Sequence, residues 1–221
     1  MSLYFPEGTV FSFSTVIGPV ISASDVSNSN PAVATVSTGI NDGDVLVISA
    51  SSSWDLANNA VAKAKVGALQ NSVSLLGIDS SETELYPVGK ANMKLSVASY
   101  FMEFDQQGDP TTAGGEQQFW TGRFLESKTG RQIQVPTYKN ASTLTLPLFF
   151  DPRKPWYAAA KKADAFRDPL VLKGLLPNGD ALYRYGYLSF NGDPSIAANT
   201  PMGNTLTFTA LGETTLVEAD Q

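Results

Sequence analysis

The sequence predicts a mainly β fold with one flanking α-helix, and three observations carry that expectation. Short β-branched or aromatic runs recur between clusters of Gly, Asn, Asp and Pro, as strands separated by turns do. Two stretches, Asn41-Asp42-Gly43-Asp44 and Pro177-Asn178-Gly179-Asp180, carry tight-turn chemistry, because Gly and Asn accept positive φ at little cost, and each is expected to close a hairpin. Only one segment repeats its apolar residues with helical spacing.

The spacing predicts strands over 10–17, 32–37, 44–50, 61–66, 72–78 and 94–104. It predicts further strands over 117–126, 131–137, 142–149, 170–176, 181–190 and 204–211, with a weak last one over 214–218. The helix is expected over 152–167. Asp151 suits an N-cap and Pro152 the first helical position, and Pro169 disfavours helix in the residue before it. Trp156, Ala159, Ala160, Ala163 and Phe166 then fall on one face, while Lys154, Lys161 and Lys162 fall off it. Packing against the sheet is therefore expected through Trp156, Ala160, Ala163 and Phe166.

Between strands 94–104 and 117–126 lies a polar stretch, Asp105, Gln106, Gln107, Gly108, Asp109, Pro110, Thr111, Thr112, Ala113, Gly114, Gly115 and Glu116. With no apolar residue larger than Ala113, it reads as a long hairpin loop that nothing ties to its own core, and loops of that length in compact domains are often functional.

Composition excludes whole classes of chemistry. The chain has no Cys and no His, which removes disulfides, zinc-thiolate sites, iron–sulfur clusters, Cys nucleophiles and any Ser-His-Asp arrangement. No Walker loop and no G-x-G-x-x-G is present. The acidic pairs Asp42/Asp44, Glu82/Glu84 and Asp105/Asp109 lack the ligand spacing of an EF-hand, and the first two pairs sit at turns. The expectation is a protein with no cofactor, no metal and no enzymatic activity. Tyr183, Tyr185 and Tyr187 alternate along one strand, so an aromatic face joined by Trp120 or Trp54 is the alternative function, a non-catalytic carbohydrate-binding or adhesive module.

Charged residues make up 16% of the chain, low for an exposed surface, which points to surface covered by a partner. A formal charge of −6 with scattered basic residues leaves no footprint for tight nucleic-acid binding. The apolar stretch 9–23 follows Glu7, and the first basic residue is Lys63, so it is not read as a secretory signal. Residues 1–98 carry 4 basic and 8 acidic residues (−4) and residues 99–221 carry 11 and 13 (−2), which suggests a module boundary near 98.

The phrases Gln117-Gln-Phe-Trp-Thr-Gly-Arg-Phe-Leu-Glu126 and Arg131-Gln-Ile-Gln-Val-Pro-Thr137, then the helix, then Leu175-Leu-Pro-Asn-Gly179 and Thr205-Leu-Thr-Phe-Thr-Ala-Leu211 resemble the phage tail tube protein family. A second likeness runs from Val20 to Val97 through Asn30-Pro-Ala-Val-Ala-Thr35, Asp42-Gly-Asp-Val-Leu-Val47 and Ser74-Leu-Leu-Gly-Ile-Asp-Ser80. It is similar to a small β-barrel module of phage tail proteins, which itself resembles the first catalytic cysteine half-domain of ubiquitin-activating enzymes.

The resemblance implies a tail-tube-type β-sandwich or barrel divided between 1–19 and 99–221, with the small barrel at 20–98 inserted into it or elaborating the tube wall. It implies a structural virion protein of the tail, assembled in the bacterial cytoplasm. Its partners are then itself, as stacked hexameric rings, other tail proteins, and DNA passing without tight binding; no membrane and no small-molecule substrate is implied. Within that frame, residues 105–110 and 114–116 are the candidates for contact with the next ring, and Glu103, Glu116 and Glu126 are the candidates for the lumen.

Overall fold

The computed structural model describes residues 7–37, 39–50, 52–67, 71–126 and 130–219. The first six positions of the segment 1–19 lie outside the described residues. In chain order the strands are β1 (Val10–Val26), β2 (Ala32–Val36), β3 (Val45–Ala50), β4 (Val61–Val66), β5 (Ser72–Leu76), β6 (Met93–Glu103) and β7 (Thr111–Ala113). They continue with β8 (Gln117–Gly122), β9 (Ile133–Lys139), β10 (Thr143–Phe149), β11 (Leu170–Leu175), β12 (Ala181–Ala197), β13 (Thr200–Ala210) and β14 (Thr215–Val217). The helix α1 (Pro155–Phe166) precedes β11, and a 3-10 segment (Ser52–Ala57) follows β3.

Strand β1 is the spine of the molecule. Its first residues pair with β11, most of its length pairs with β6, and its last residues pair with β2. Because β2 also continues through β5, β4 and β3 back to β6, the strands β1 to β6 close into a small barrel. Closure leaves these strands no free edge. The barrel is filled by Leu46, Ile48, Trp54, Leu75, Met93 and Leu95, all fully buried. Trp54 also donates its indole N–H to the Pro87 carbonyl at 3.0 Å, so its polar atom is satisfied inside the core.

On the other side of the spine, the sheet runs β1-β11-β12-β13-β10-β7. One of its faces packs beneath α1. Phe13 and Phe104 stack at 5.0 Å, and Trp156 meets Phe104 and Phe190 at 5.9 and 6.1 Å, among Leu146, Leu206 and Phe208. The helix also serves the backbone beyond β11. Asp164 accepts the Phe190 N–H at 3.2 Å, and the Tyr157 hydroxyl donates to the Gly192 carbonyl at 3.0 Å. A seam of Val45, Val47, Val61, Val171, Tyr183 and Val217 joins barrel to sheet. Strand β3 is buried on both faces, Leu46 and Ile48 inward and Val45 and Val47 in the seam, which explains its unbroken apolar run.

Several sequence expectations are corrected. The helix begins at Pro155, and Asp151 does not cap it; instead its carboxylate accepts the Arg153 N–H at 3.0 Å in a turn just before the helix. The end is as expected, with Arg167 in the left-handed region (φ 56). Trp156 and Ala160 are buried and Ala163 packs against the same core, but Phe166 is 64% exposed, in the last turn and beneath the Lys162 ammonium. The turn at Gly179 (φ +92) closes the β11–β12 hairpin. The turn at Gly43 (φ +83) closes no hairpin; it is a corner between β2 and β3, which are not neighbours in the sheet.

Candidate functional site

The polar stretch 105–116 is not the loop of a hairpin. Its flanking strands are not partners: β6 pairs with β1 and β3, and β8 pairs with β9. The stretch is also anchored, chiefly through its backbone. Asp105 meets Lys154 at 3.0 Å, and the Gln106 carbonyl accepts the Phe149 N–H at 3.0 Å. The Gln107 amide donates to the Thr9 carbonyl, and the Gly108 N–H donates to the Pro147 carbonyl at 2.8 Å. Asp109 and Pro110 are exposed, and Thr111–Ala113 then forms β7 on the outer edge of β10. A ladder of main-chain hydrogen bonds needs no apolar side chain, which is why hydrophobic pattern gave no sign of it.

Gly114 and Gly115 follow, with φ +82 and +81. A Cβ on Gly114 would stand 2.1 Å from the Ala141 carbonyl oxygen, so only glycine allows this close bend. The ladder then resumes: Gly115 donates to the Asn140 carbonyl at 3.1 Å, and Asn140 donates to the Glu116 carbonyl at 3.0 Å. One bent ribbon therefore runs from β10 in the sheet out to β8 and β9, which form a separate two-stranded sheet.

This outer part, the arm, is bare. Every residue of β9 is exposed. Trp120 pairs with Val135 and Gly122 with Ile133, which places Trp120, Val135 and Ile133 on one face. The Trp120 ring lies over Gly122, 2.1 Å from where a Cβ would stand. Phe119 and Pro136 lie opposite each other on the other face, and Phe124 and Leu125 extend from the end of β8 towards the tip. Trp120 is 50% exposed and Leu125 entirely so. The root is held by the exposed pair Lys139–Glu213 at 2.9 Å. An isolated two-stranded hairpin is marginal in water, and an apolar surface of this kind marks a place where another molecule binds.

The candidate lumen acids fall in three places. Glu103 ends β6, registered to Ser12; Glu116 lies beyond the glycine bend; Glu126 sits in a turn after β8, which ends at Gly122 instead of reaching 126. No single face holds all three.

The aromatic stripe does not form an exposed platform. Tyr183 is 2% exposed, and burial pushes its phenol above the ordinary value; Tyr185 is half-buried and shifted the same way, first by desolvation. Trp54 lies in the barrel core, and of the three tyrosines only Tyr187 is exposed. The acidic pairs serve turns or a surface ion pair: Asp42 accepts the Val66 N–H at 2.9 Å, Asp44 accepts the Asn41 N–H at 2.7 Å, and Asp105 is taken by Lys154. Among the described residues no three His, Cys, Asp or Glu side chains gather as a metal site, and no helix is long and apolar enough to cross a membrane.

The family model described as phage tail tube protein, TTP, matches residues 52–219, from the 3-10 segment to just beyond β14. The chain belongs to the phage tail tube protein family. Its role is that of a structural tail protein. No curated protein matches this tail tube protein significantly. Solved structures similar to it include the tail of an empty GTA particle computed with helical refinement in C6 symmetry, at 11% identity and TM-score 0.41, covering 54% of this chain and 87% of that one. A virion of the native gene transfer agent particle matches at 11% identity and TM-score 0.39, covering 53% and 88%. The cap that terminates the anti-feeding prophage tube matches at 19% identity and TM-score 0.35, covering 49% and 79%.

The two strands of the arm of this tail tube protein are those the spacing predicts near 117 and 131, but the first pairs with the second and not with strand 94–104 across a loop. The signal available was the run Phe119-Trp120 with Phe124-Leu125 and Ile133-Gln-Val135, apolar residues with no complementary buried strand to receive them.

Proposed function

We propose that the chain builds the tail tube by associating with itself as stacked hexameric rings, forming the conduit for genome delivery into a bacterial host. In this reading it acts in the virion tail, assembles in the host cytoplasm and meets other tail proteins at the ends of the tube. One observation carries the reading: the arm presents Trp120, Ile133, Val135 and Leu125 as exposed apolar side chains on a two-stranded sheet apart from the main one. A second subunit is the partner that a ring or stack supplies at every such arm. The edge strand β7, which has no partner on its outer side among the described residues, offers further backbone groups to a neighbour, and the exposed residues Asp109, Pro110, Gly115 and Glu116 border it. Residues 1–19 and 99–221 form the tube wall in this proposal, and the barrel over 20–98 elaborates it through the seam around Val47 and Tyr183.

Electron microscopy of the purified chain at rising concentration tests the reading. Rings and tubes with six-fold symmetry are expected; particles that stay single at every concentration would count against it.

A further inference from the structure

We propose that the groove between β7 and the β11–β12 hairpin is the socket for the arm tip of a second copy of the chain, with Glu126 of the tip meeting Arg184 of the groove. The assignment rests on the tube reading above and names what receives the arm. The groove opens on the α1 side of the sheet, yet no residue of α1 lines it. Its floor is apolar, made by Phe11, Leu144, Leu172, Leu176 and Leu182. It measures about 530 Å³, within the roughly 300–1,000 Å³ of ordinary binding clefts. Asp109, Pro110 and Thr112 form one wall, so the groove adjoins the edge strand β7 itself.

The polar groups around this floor are incompletely matched by their own subunit. Arg184 is half-buried, where lost hydration disfavours its charge, and its guanidinium donates only from Nε, to the Thr214 hydroxyl at 3.0 Å. No carboxylate pairs with it among the described residues, and the groove's two acids, Glu7 and Asp109, are exposed and form no ion pair there. Thr9 Oγ1 and Gln107 Oε1, also in the lining, are buried with no hydrogen-bond partner among the described residues. Polar and charged groups held out of water cost free energy until a partner group meets them.

The arm tip carries the complementary set in chain order. Arg123, Phe124, Leu125 and Glu126 are all exposed, Leu125 entirely, so the tip does not sit in its own subunit's groove. Phe124 and Leu125 match the floor. Glu126 gives Arg184 a carboxylate able to accept two N–H bonds, and Arg123 brings a cation towards Glu7 and Asp109. A contact between two different patches of identical chains is heterologous, and repeated by every copy it generates a ring or an open stack. The assignment moves Glu126 from the lumen into the wall.

Charge exchange tests the pairing. Glu126→Arg and Arg184→Glu should each raise the subunit concentration needed for tubes at least about tenfold, because each sets like charges against each other in the socket. The chain carrying both substitutions should recover most of that loss, since every socket again holds one charge of each sign. A double variant as defective as the singles, or singles that assemble normally, would overturn the assignment and leave the tube standing. Failure of the unmodified chain to form tubes would overturn it together with the reading beneath it. The melting temperature of each free subunit shows whether the variant folds. Should Arg184→Glu lower it, a disulfide decides instead, the chain having no cysteine of its own. A chain with Leu125→Cys and Leu176→Cys, oxidised in tubes, should give a ladder of linked subunits on a non-reducing gel, and only single, unlinked subunits when oxidised dilute and free. Tubes that give no ladder, or free subunits whose two thiols join within one chain, would overturn the assignment.

Discussion

The barrel of β1 to β6 and the arm of β8 and β9 are both built from antiparallel strands, and each holds a tryptophan. In the barrel every strand has two neighbours, and Trp54 is wholly buried with its indole N–H bonded to Pro87. In the arm each strand has one neighbour among the described residues, and Trp120 lies over Gly122 with half its surface exposed. Stability in the first region is internal to the subunit. In the second it has to come from another molecule, because two strands alone bury too little apolar surface to offset their ordering.

The sharpest way to break this contrast is to remove the arm. Replacing residues 117–139 by a short Gly-Ser turn should abolish tubes in electron microscopy while leaving the melting temperature of the free subunit unchanged. A large fall in melting temperature would show the arm to be part of the subunit's own core. Next in size, Trp54→Ala should lower free-subunit stability by about 3–5 kcal/mol in urea unfolding, the range for deleting a buried tryptophan. Trp120→Ala should change the same measurement by no more than about 0.5 kcal/mol, as surface substitutions do, yet raise the concentration needed for assembly.

Smaller still is a comparison inside the two cores. Trp54→Phe gives up the hydrogen bond to the Pro87 carbonyl, which keeps the Lys90 N–H at 3.2 Å, whereas Trp156→Phe gives up none, because the Trp156 indole N–H has no partner among the described residues. Trp54→Phe should therefore be the more destabilising of the two by about 0.5–1.5 kcal/mol, the net contribution of one hydrogen bond. Equal losses would mean that volume alone decides. The least effect is expected at Phe166, whose replacement by Ala should move stability by less than about 0.5 kcal/mol because its ring already faces solvent.

The elements that sequence patterning found are those with a buried face of their own. Strand β4 and the core positions Trp156 and Ala160 follow directly from apolar spacing. The spacing predicts the first strand only as far as Ile17, with Gly18 and Pro19 just beyond it. The strand instead passes them through a register shift between Ile17 and Val20, the irregularity at which a sheet accepts proline. Strand β7 was illegible because its three residues pair through the backbone and bury nothing. The arm was half legible: its strands were foreseen near 117 and 131, but not their pairing with each other, since both faces are exposed and no alternation marks an inside. A surface meant for a neighbouring subunit leaves no periodic trace in a single chain.

Amide hydrogen exchange across the arm, compared between free subunits and assembled tubes, tests that claim most directly. The amides of Gln117–Gly122 and Ile133–Lys139 should exchange fast in the free subunit and slow strongly in the tube, while those of β3 and β4 stay slow in both. Arm amides that exchange at the same rate in both states would contradict the account, because the bare hairpin would then have found no partner in the assembly it is held to build.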